Sequence, residues 1–185
     1  MKIAVLVDAD NASAKSLALT LQHIAEYGTV VIKRVYGDWS RPNLHRWKEY
    51  SNKYSLKSIQ AYSYVKGKNS TDIAMIIDAM DILHQKSADA FCIVSSDCDF
   101  TGLIHRIKED GLFTIGVGKV SACSSFKAAC DLFIHEVTES KKSEQLSDSL
   151  VSQKDLLDAE NLFKAEIEPL PGIKILGKID LNKVK

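Results

Sequence analysis

The chain has 185 residues, and its 24 lysine and arginine residues balance 24 aspartate and glutamate residues. This length predicts one domain with a single substantial core, and the ordinary hydrophobic content excludes general disorder. Zero net charge argues against a uniformly basic surface that binds nucleic acid, but it does not exclude local basic patches. Because no apolar run approaches about 18 residues and the apolar start is too short for a signal peptide, we expect a soluble, cytoplasmic protein without a membrane partner.

Strand-like and helix-like patterns alternate along the first three quarters of the chain. Continuous or alternating apolar runs predict strands over residues 3–7, 30–36, 56–62, 90–94, 113–117 and 132–137. Between them, periodic segments and turn residues predict helices over 14–27, 42–53, 72–83, 100–109 and 124–130. This alternation predicts a three-layer α/β/α, Rossmann-like sandwich with a mainly parallel central sheet.

The composition changes after this α/β body, which we expect to span residues 1–137. Residues 138–152 are rich in serine, lysine and glutamate and predict a polar linker, and residues 153–185 predict a short helical C-terminal tail. The tail is too small to bury a core of its own. It could pack on the body, bind another protein chain, or be the remnant of a further module; a homodimer is also compatible with the sequence.

The four cysteines form no C-x-x-C pair and have no histidine cluster near them at zinc spacing. We therefore interpret them as reduced thiols. They are Cys92, Cys98, Cys123 and Cys130.

Acidic residues stand at comparable places in the alternating pattern. Asp8 closes the first strand, Asp97 and Asp99 follow the fourth, and Asp72 lies in the first turn of a helix. In a doubly wound sheet strands one and four are neighbours, so Asp8 is expected to face Asp97. Carboxylates that converge repel each other unless a cation lies between them, and an all-oxygen set suits Mg²⁺ or Mn²⁺.

Each of these acids also has a purely structural interpretation. Asp99 could cap the following helix, Asp97 could be a loop residue, and Asp72 could be a favourable acid in a helical first turn. We expect Asp10 to cap the first helix rather than bind metal. Asp78 lies about 120° around the helix from Asp72, which predicts a hydrogen-bonded core acid outside any metal site.

A basic and aromatic segment lies between residues 33 and 68. It has nine lysines and arginines against two acids, with tyrosines and tryptophans between them. Single-stranded nucleic acid binding uses this combination, because cations hold the phosphates and rings stack on the bases. About half of these side chains are expected instead to decorate solvated faces or pack on the sheet. The predicted substrate contacts are Asn11, Arg34, Trp39, Lys66, Lys68, Ser95 and Ser96.

Four segments, residues 7–11, 36–39, 68–80 and 94–101, together resemble the NYN domain family and, more narrowly, the LabA-like (DUF88) branch of PIN-like nucleases. The resemblance covers about residues 1–137. It implies a PIN-like sandwich, a divalent metal held by Asp8, Asp72, Asp97 and Asp99, and ribonuclease activity on RNA. Family members often carry a helical RNA-binding LOTUS domain after the nuclease, for which the tail here is too short.

Our preferred hypothesis is a Mg²⁺- or Mn²⁺-dependent endoribonuclease. In it Asp8, Asp72 and Asp97 bind metal directly and Asp99 acts through water, while Lys66, Lys68 and Arg34 hold RNA. A second interpretation is a haloacid-dehalogenase-like phosphatase with Asp8 as nucleophile and Asp10 as acid/base, although the Gly-Thr that usually follows is missing. A third is a non-catalytic module that binds RNA or a protein partner.

Overall fold

The computed structural model describes residues 1–63 and 69–136. Its strands are β1 Lys2–Asp8, β2 Thr29–Gly37, β3 Lys57–Gln60, β4 Ala90–Val94, β5 Phe113–Gly118 and β6 Leu132–His135. Its α-helices are α1 Leu17–Ala25, α2 Arg46–Tyr54, α3 Ser70–His84, α4 Thr101–Glu109 and α5 Ser124–Ala129. Short 3₁₀ turns, Ala14–Ser16, Pro42–Leu44 and Cys98–Phe100, precede α1, α2 and α4. The elements expected from the sequence are therefore present in the predicted order.

The strands form one parallel sheet in the order β3-β2-β1-β4-β5-β6. Strand β1 pairs with β2 on one side and with β4 on the other, so that Leu6 lies opposite both Arg34 and Ile93. The chain order reverses between these two pairings, which makes the carboxyl ends of β1 and β4 the expected ligand crevice. The predicted α/β class and central parallel sheet are confirmed.

Helices cover both faces of the sheet, and alternate residues of each strand point to opposite faces. Helices α3, α4 and α5 pack on the face that receives Ala4 and Leu6 of β1. Helices α1 and α2 pack on the face that receives Ile3, Val5 and Val7. This alternation directs the next even-numbered residue, Asp8, towards the α3 side.

Several predictions fall on residues that the structure does not describe. These are the proposed RNA contacts Lys66 and Lys68, the end of the body at residue 137, the linker 138–152 and the tail 153–185. They remain predictions. Within residues 1–63 and 69–136, no helix has the length and apolar character that crossing a bilayer requires.

Candidate metal centre and nucleic-acid interface

Asp8 is the buried base of the candidate site. The residue is 0% exposed, although the five side chains before it in β1, Ile3 to Val7, are all apolar. One carboxylate oxygen, Oδ2, accepts hydrogen bonds from Asn11 Nδ2 at 2.7 Å and from Ser95 Oγ at 2.9 Å. The other, Oδ1, accepts the backbone N–H of Asp10 at 3.0 Å. These bonds hold the carboxylate in place and leave part of the capacity of Oδ1 for a further partner, since an ionised carboxylate has about four acceptor positions.

A chain of hydrogen bonds leads from Asp8 to the acids after β4. Ser95, which follows the last residue of β4, donates its hydroxyl to Asp8 and accepts the N–H of Asp97 at 3.2 Å. Asp97 in turn accepts the N–H of Asp99 at 3.1 Å and is the N-cap of the 3₁₀ turn before α4. Asp97, rather than Asp99, is therefore the capping residue, which corrects the structural alternative considered for Asp99.

The N-terminus of α3 bonds to two members of the acidic group, which consists of Asp8, Asp10, Asp72, Asp97 and Asp99. Asn69 donates its side-chain amide to Asp99 at 2.6 Å, and Thr71 donates its hydroxyl to Asp10 at 3.2 Å. Asp72 is the next residue of the same first turn. Since the residues around it bond to acids that follow β1 and β4, the helix brings Asp72 to the crevice that these strands form.

The neighbouring acids affect the pKa of Asp72. Burial, followed by repulsion from Asp8, Asp97, Asp99 and Asp10, raises its pKa from 3.8 to about 6. Burial also raises the pKa of Asp8, against the lowering effect of its hydrogen bonds to Asn11 and Ser95. Clustered carboxylates of this kind cost free energy when all are ionised, and a bound cation removes that cost.

The tightest ligand group differs from the set expected to bind metal directly. Among the described residues, the ligand atoms that all lie within 4.8 Å of one another belong to Asp97, Cys98 and Asp99. This group could hold a metal ion. The carboxylates of Asp8 and Asp72 do not belong to it, so direct ligation by Asp8 and Asp72 stays a prediction. Because the gathered donors are mainly carboxylate oxygens around Asp72, they fit a hard divalent cation.

Asp10 does not cap the first helix, so that prediction is wrong. The N-cap of the turn that precedes α1 is Ser13, and no side chain caps it. The carboxylate of Asp10 instead forms a 2.7 Å ion pair with Arg41 and accepts the hydroxyl of Thr71. These partners come from segments far apart in sequence, which is why local helix signals could not identify them.

The predicted RNA contact Arg34 lies beneath α3. Its guanidinium forms an ion pair with Asp78, whose carboxylate also accepts the hydroxyl of Tyr36. Hydrogen bonding to Asp78 raises the pKa of Arg34, and burial together with the same acid raises that of Tyr36. Asp78 is thus a hydrogen-bonded acid apart from the acidic group, as predicted, and both of its partners lie on β2. The side chain of Arg34 is only 23% exposed.

We expect the Arg34–Asp78 pair to contribute to stability. Arg34→Ala and Asp78→Ala should each lower the free energy of unfolding by about 2 kcal/mol, because each leaves a partly buried charge without its partner. The double variant should lose less than the sum of the two single losses. Urea unfolding of the three variants measures this coupling, and additive losses would contradict the structural role assigned to the pair.

Of the remaining predicted contacts, some bond to the acids and others lie elsewhere at this end of the sheet. Asn11 holds Asp8, and Ser96 accepts the N–H of Lys119 at 3.0 Å, which joins the loops after β4 and β5. Trp39 lies beyond β2, where its backbone N–H donates to Gln60. The structure therefore joins Asn11 and Ser95 directly to the acids, and it separates Arg34 from them.

Sequence reasoning did not single out three residues that organise this end of the sheet. Asn69 and Thr71 stand next to Asp72, and their polar side chains were the available signal. Asp38 accepts hydrogen bonds from Ser40 and Gln60, which with other donors lower its pKa to about 2. The hydrogen bond from Gln60 to Asp38 joins the end of β3 to the residue after β2. Single-sequence patterns do not specify which strands are neighbours in this way.

Comparisons with known proteins agree with this fold and motif set. The model of the NYN domain matches residues 2–144. An uncharacterized protein of Methanocaldococcus jannaschii is 26% identical over 123 residues, which are 63% of this chain and 47% of that protein. The chain thus spans about half the length of this relative.

A solved structure is also similar. The crystal structure of a Vibrio parahaemolyticus protein of unknown function matches with a TM-score of 0.59 and 19% identity, over 72% of this chain and 91% of that one. At this identity the likeness shows the fold alone. The family model covers most of the chain, and the β1 and β4 ends carry the acids. The chain therefore belongs to the NYN domain family, a family of PIN-like nucleases.

Proposed function

We propose that this protein is a Mg²⁺- or Mn²⁺-dependent ribonuclease that hydrolyses phosphodiester bonds of single-stranded RNA, and that it belongs to the LabA-like (DUF88) branch. The observation that carries the proposal is the group of Asp97, Cys98 and Asp99, whose ligand atoms lie within 4.8 Å of one another after β4. The pKa of Asp72, which its burial and four neighbouring acids raise, agrees with this grouping. Such a cluster is costly without a cation, and perturbed acids of this kind are typical of functional sites. We also propose a cytoplasmic location.

In this proposal the residues of the chain divide the work. Asp97 and Asp99 would hold the metal with Asp72 beside them, and Asp8 fixes the loop after β4 through Ser95. A bound divalent ion supplies charge stabilisation at the scissile phosphate and lowers the pKa of a water molecule. Asn69 orients Asp99 by its 2.6 Å hydrogen bond. The chain thus contributes positioned oxygen ligands and a rigid support for them.

Cations beside the acids offer a path for the RNA backbone. A cavity of about 260 Å³, here called the β1 pocket, is lined by residues that include Asp10, Lys15, Leu44 and Arg46. Both Lys15 and Arg46 are exposed, and neither forms an ion pair within residues 1–63 and 69–136. They are therefore available to contact phosphates next to the site of cleavage.

The direct test incubates the full chain with an end-labelled single-stranded RNA in Mg²⁺, in Mn²⁺ and in EDTA. We expect cleavage in the presence of either metal and none in EDTA. Salt-dependent binding of the RNA without cleavage under every condition would instead favour a non-catalytic module. Turnover of small phosphate esters with intact RNA would favour the phosphatase, which the fully buried carboxylate of Asp8 does not support.

Arg46→Ala should weaken RNA binding by removing one phosphate contact. The slope of log K against log salt concentration is expected to become less steep by about 0.7, the change typical of one contact to a single strand. Fluorescence anisotropy with labelled RNA in EDTA, across a series of salt concentrations, measures it. Arg106→Ala is the matched control, because Arg106 lies on α4 and pairs with Asp110. An unchanged slope for Arg46→Ala would exclude the β1 pocket as the RNA path.

A further inference from the structure

A second and larger cavity, here called the α2 pocket, lies between α2 and the β3 edge of the sheet. Its volume is about 520 Å³, within the usual range of small-molecule sites. The walls are formed by Trp39, Leu44, Lys48, Ser51, Leu56 and Ser58. Small side chains on α2 and β3, at Ser51 and Ser58, leave the space open.

The indole of Trp39 forms a fixed wall of the α2 pocket. A Cβ atom added at Gly37 would lie 3.1 Å from ring carbons of Trp39 and from Leu44. The ring therefore lies directly against the backbone at the end of β2, where any larger residue would displace it. A ring held in this way keeps its Nε1–H at a fixed position in the wall of the pocket.

Two buried polar atoms of residues that line the α2 pocket have no hydrogen-bond partner within residues 1–63 and 69–136. Ser51 is only 5% exposed, and neither its Oγ nor the Nε1 of Trp39 has a hydrogen bond. The other tryptophan, Trp47, donates its Nε1–H to the carbonyl of Ala9 at 3.3 Å. Buried polar groups are nearly always paired, so two unpaired atoms at one cavity indicate that a ligand supplies the missing partners.

The polar atoms define the chemistry of that ligand. The indole N–H requires an acceptor, and the hydroxyl of Ser51 can donate or accept. At the rim, His45 and Asn52 are exposed, and Lys48 forms no ion pair with any described residue. A planar heterocycle with ring acceptors, joined to a negatively charged group, satisfies all of these groups together. A nucleotide is such a molecule.

The α2 pocket adjoins the proposed RNA path. Leu44 lines both the α2 pocket and the β1 pocket, whose other walls include Asp10 and Arg46. A strand whose phosphates contact Arg46 could therefore place a neighbouring base against Trp39. The two cavities thus share the wall that Leu44 forms.

We propose that the α2 pocket binds one nucleobase, which lies along the edge of the Trp39 indole, accepts its Nε1–H and pairs with Ser51 Oγ. The base comes from a bound RNA strand or from a free nucleotide. Only the first source rests on the proposed function, and neither requires that the protein cleave RNA.

Nuclear magnetic resonance of the indole N–H groups tests this proposal. The sequence has two tryptophans, so the ¹⁵N-labelled full chain should give two indole signals, which Trp39→Phe assigns. In EDTA, we titrate each of the four nucleoside monophosphates and then a short single-stranded RNA. The Trp39 signal is expected to shift as its N–H gains an acceptor, while the Trp47 signal changes less because its N–H is already bonded.

The arms of the titration distinguish the sources. A shift with RNA alone assigns the pocket to a strand, and a shift with a monophosphate alone assigns it to a free nucleotide. A Trp39 signal that moves with none of the ligands overturns the proposal, whether or not the protein cleaves RNA. Cleavage of RNA without such a shift would support the proposed ribonuclease activity and overturn only the proposed nucleobase pocket.

Ser51→Ala separates ligand binding from folding. It removes a buried hydroxyl that has no partner, so the midpoint of thermal unfolding should not fall. Affinity for the shifting ligand should fall roughly fivefold, the effect of one lost hydrogen bond. Trp39→Phe keeps most of the ring and removes the N–H, and isothermal titration calorimetry should show a similar loss. Unchanged affinity in both variants would overturn the assignment of these two atoms as ligand contacts.

Discussion

Asp97→Asn should reduce the rate of metal-dependent RNA cleavage at least about a hundredfold. Charge stabilisation by a bound metal is worth several kcal/mol, and about 1.4 kcal/mol corresponds to a factor of ten in rate. Asp97 belongs to the group whose ligand atoms lie within 4.8 Å of one another, so loss of its negative charge should weaken the proposed metal site. Single-turnover cleavage of labelled RNA in saturating Mn²⁺ measures the effect.

The choice of asparagine keeps the local structure. Asp97 accepts the N–H of Asp99 as an N-cap, and asparagine caps helices about as well as aspartate. The thermal unfolding midpoint in EDTA should therefore stay close to that of the wild type. Asp81→Asn, an exposed residue of α3, is the control and should cleave normally. Full activity of Asp97→Asn would remove the proposed mechanism.

The sequence was sufficient for the parts of the fold and site that depend on strand ends. Apolar runs that stop at Asp8 and before Ser95 predicted where β1 and β4 end, and the alternation of strands with helices predicted that these ends are neighbours. Parallel pairing then requires their polar residues to share one crevice. The pairing of Leu6 with Ile93 and the bond from Ser95 to Asp8 agree with this reasoning.

Contacts between distant side chains were not accessible in the same way. Arg34 was expected to bind RNA because it lies in a basic segment, but its strand register places it under α3 beside Asp78. Asp10 was expected to cap a helix because helix signals are local, yet its partner Arg41 lies beyond β2. A side chain's partner depends on tertiary packing, and a single sequence specifies the packing of an element more weakly than its type.

The acidic group should make the stability of the metal-free protein depend on pH. The pKa of Asp72 is raised from 3.8 to about 6 in the folded state, so between these values the folded protein binds a proton that the unfolded chain has lost. Its contribution to the free energy of unfolding therefore decreases as the pH rises from about 4 to about 6, and it levels off above that. The raised pKa of Asp8 acts in the same direction.

Asp38 and Asp131 have lowered pKa values and act in the opposite direction, so the comparison with a variant is needed. In Asp72→Asn the free energy of unfolding should decrease less as the pH rises from about 4 to about 6. This variant should therefore be more stable than the wild type at pH 7 in EDTA. Urea unfolding from pH 4 to pH 8 measures the difference between the two curves. Asp81→Asn serves as the matched control on the same helix and should follow the wild type.

Mn²⁺ should make the wild type more stable than Asp72→Asn, which reverses their order in EDTA. A metal that binds only the folded state adds about 2.7 kcal/mol to the free energy of unfolding at a concentration of 100 times its Kd. At pH 7.5 the wild type should gain this amount, whereas Asp72→Asn should gain much less at the same concentration, because it lacks one of the acids whose repulsion the cation relieves. Equal gains in both proteins would show that Asp72 takes no part in binding the metal. If Mn²⁺ did not raise the free energy of unfolding of the wild type, the acidic group would not be a metal site.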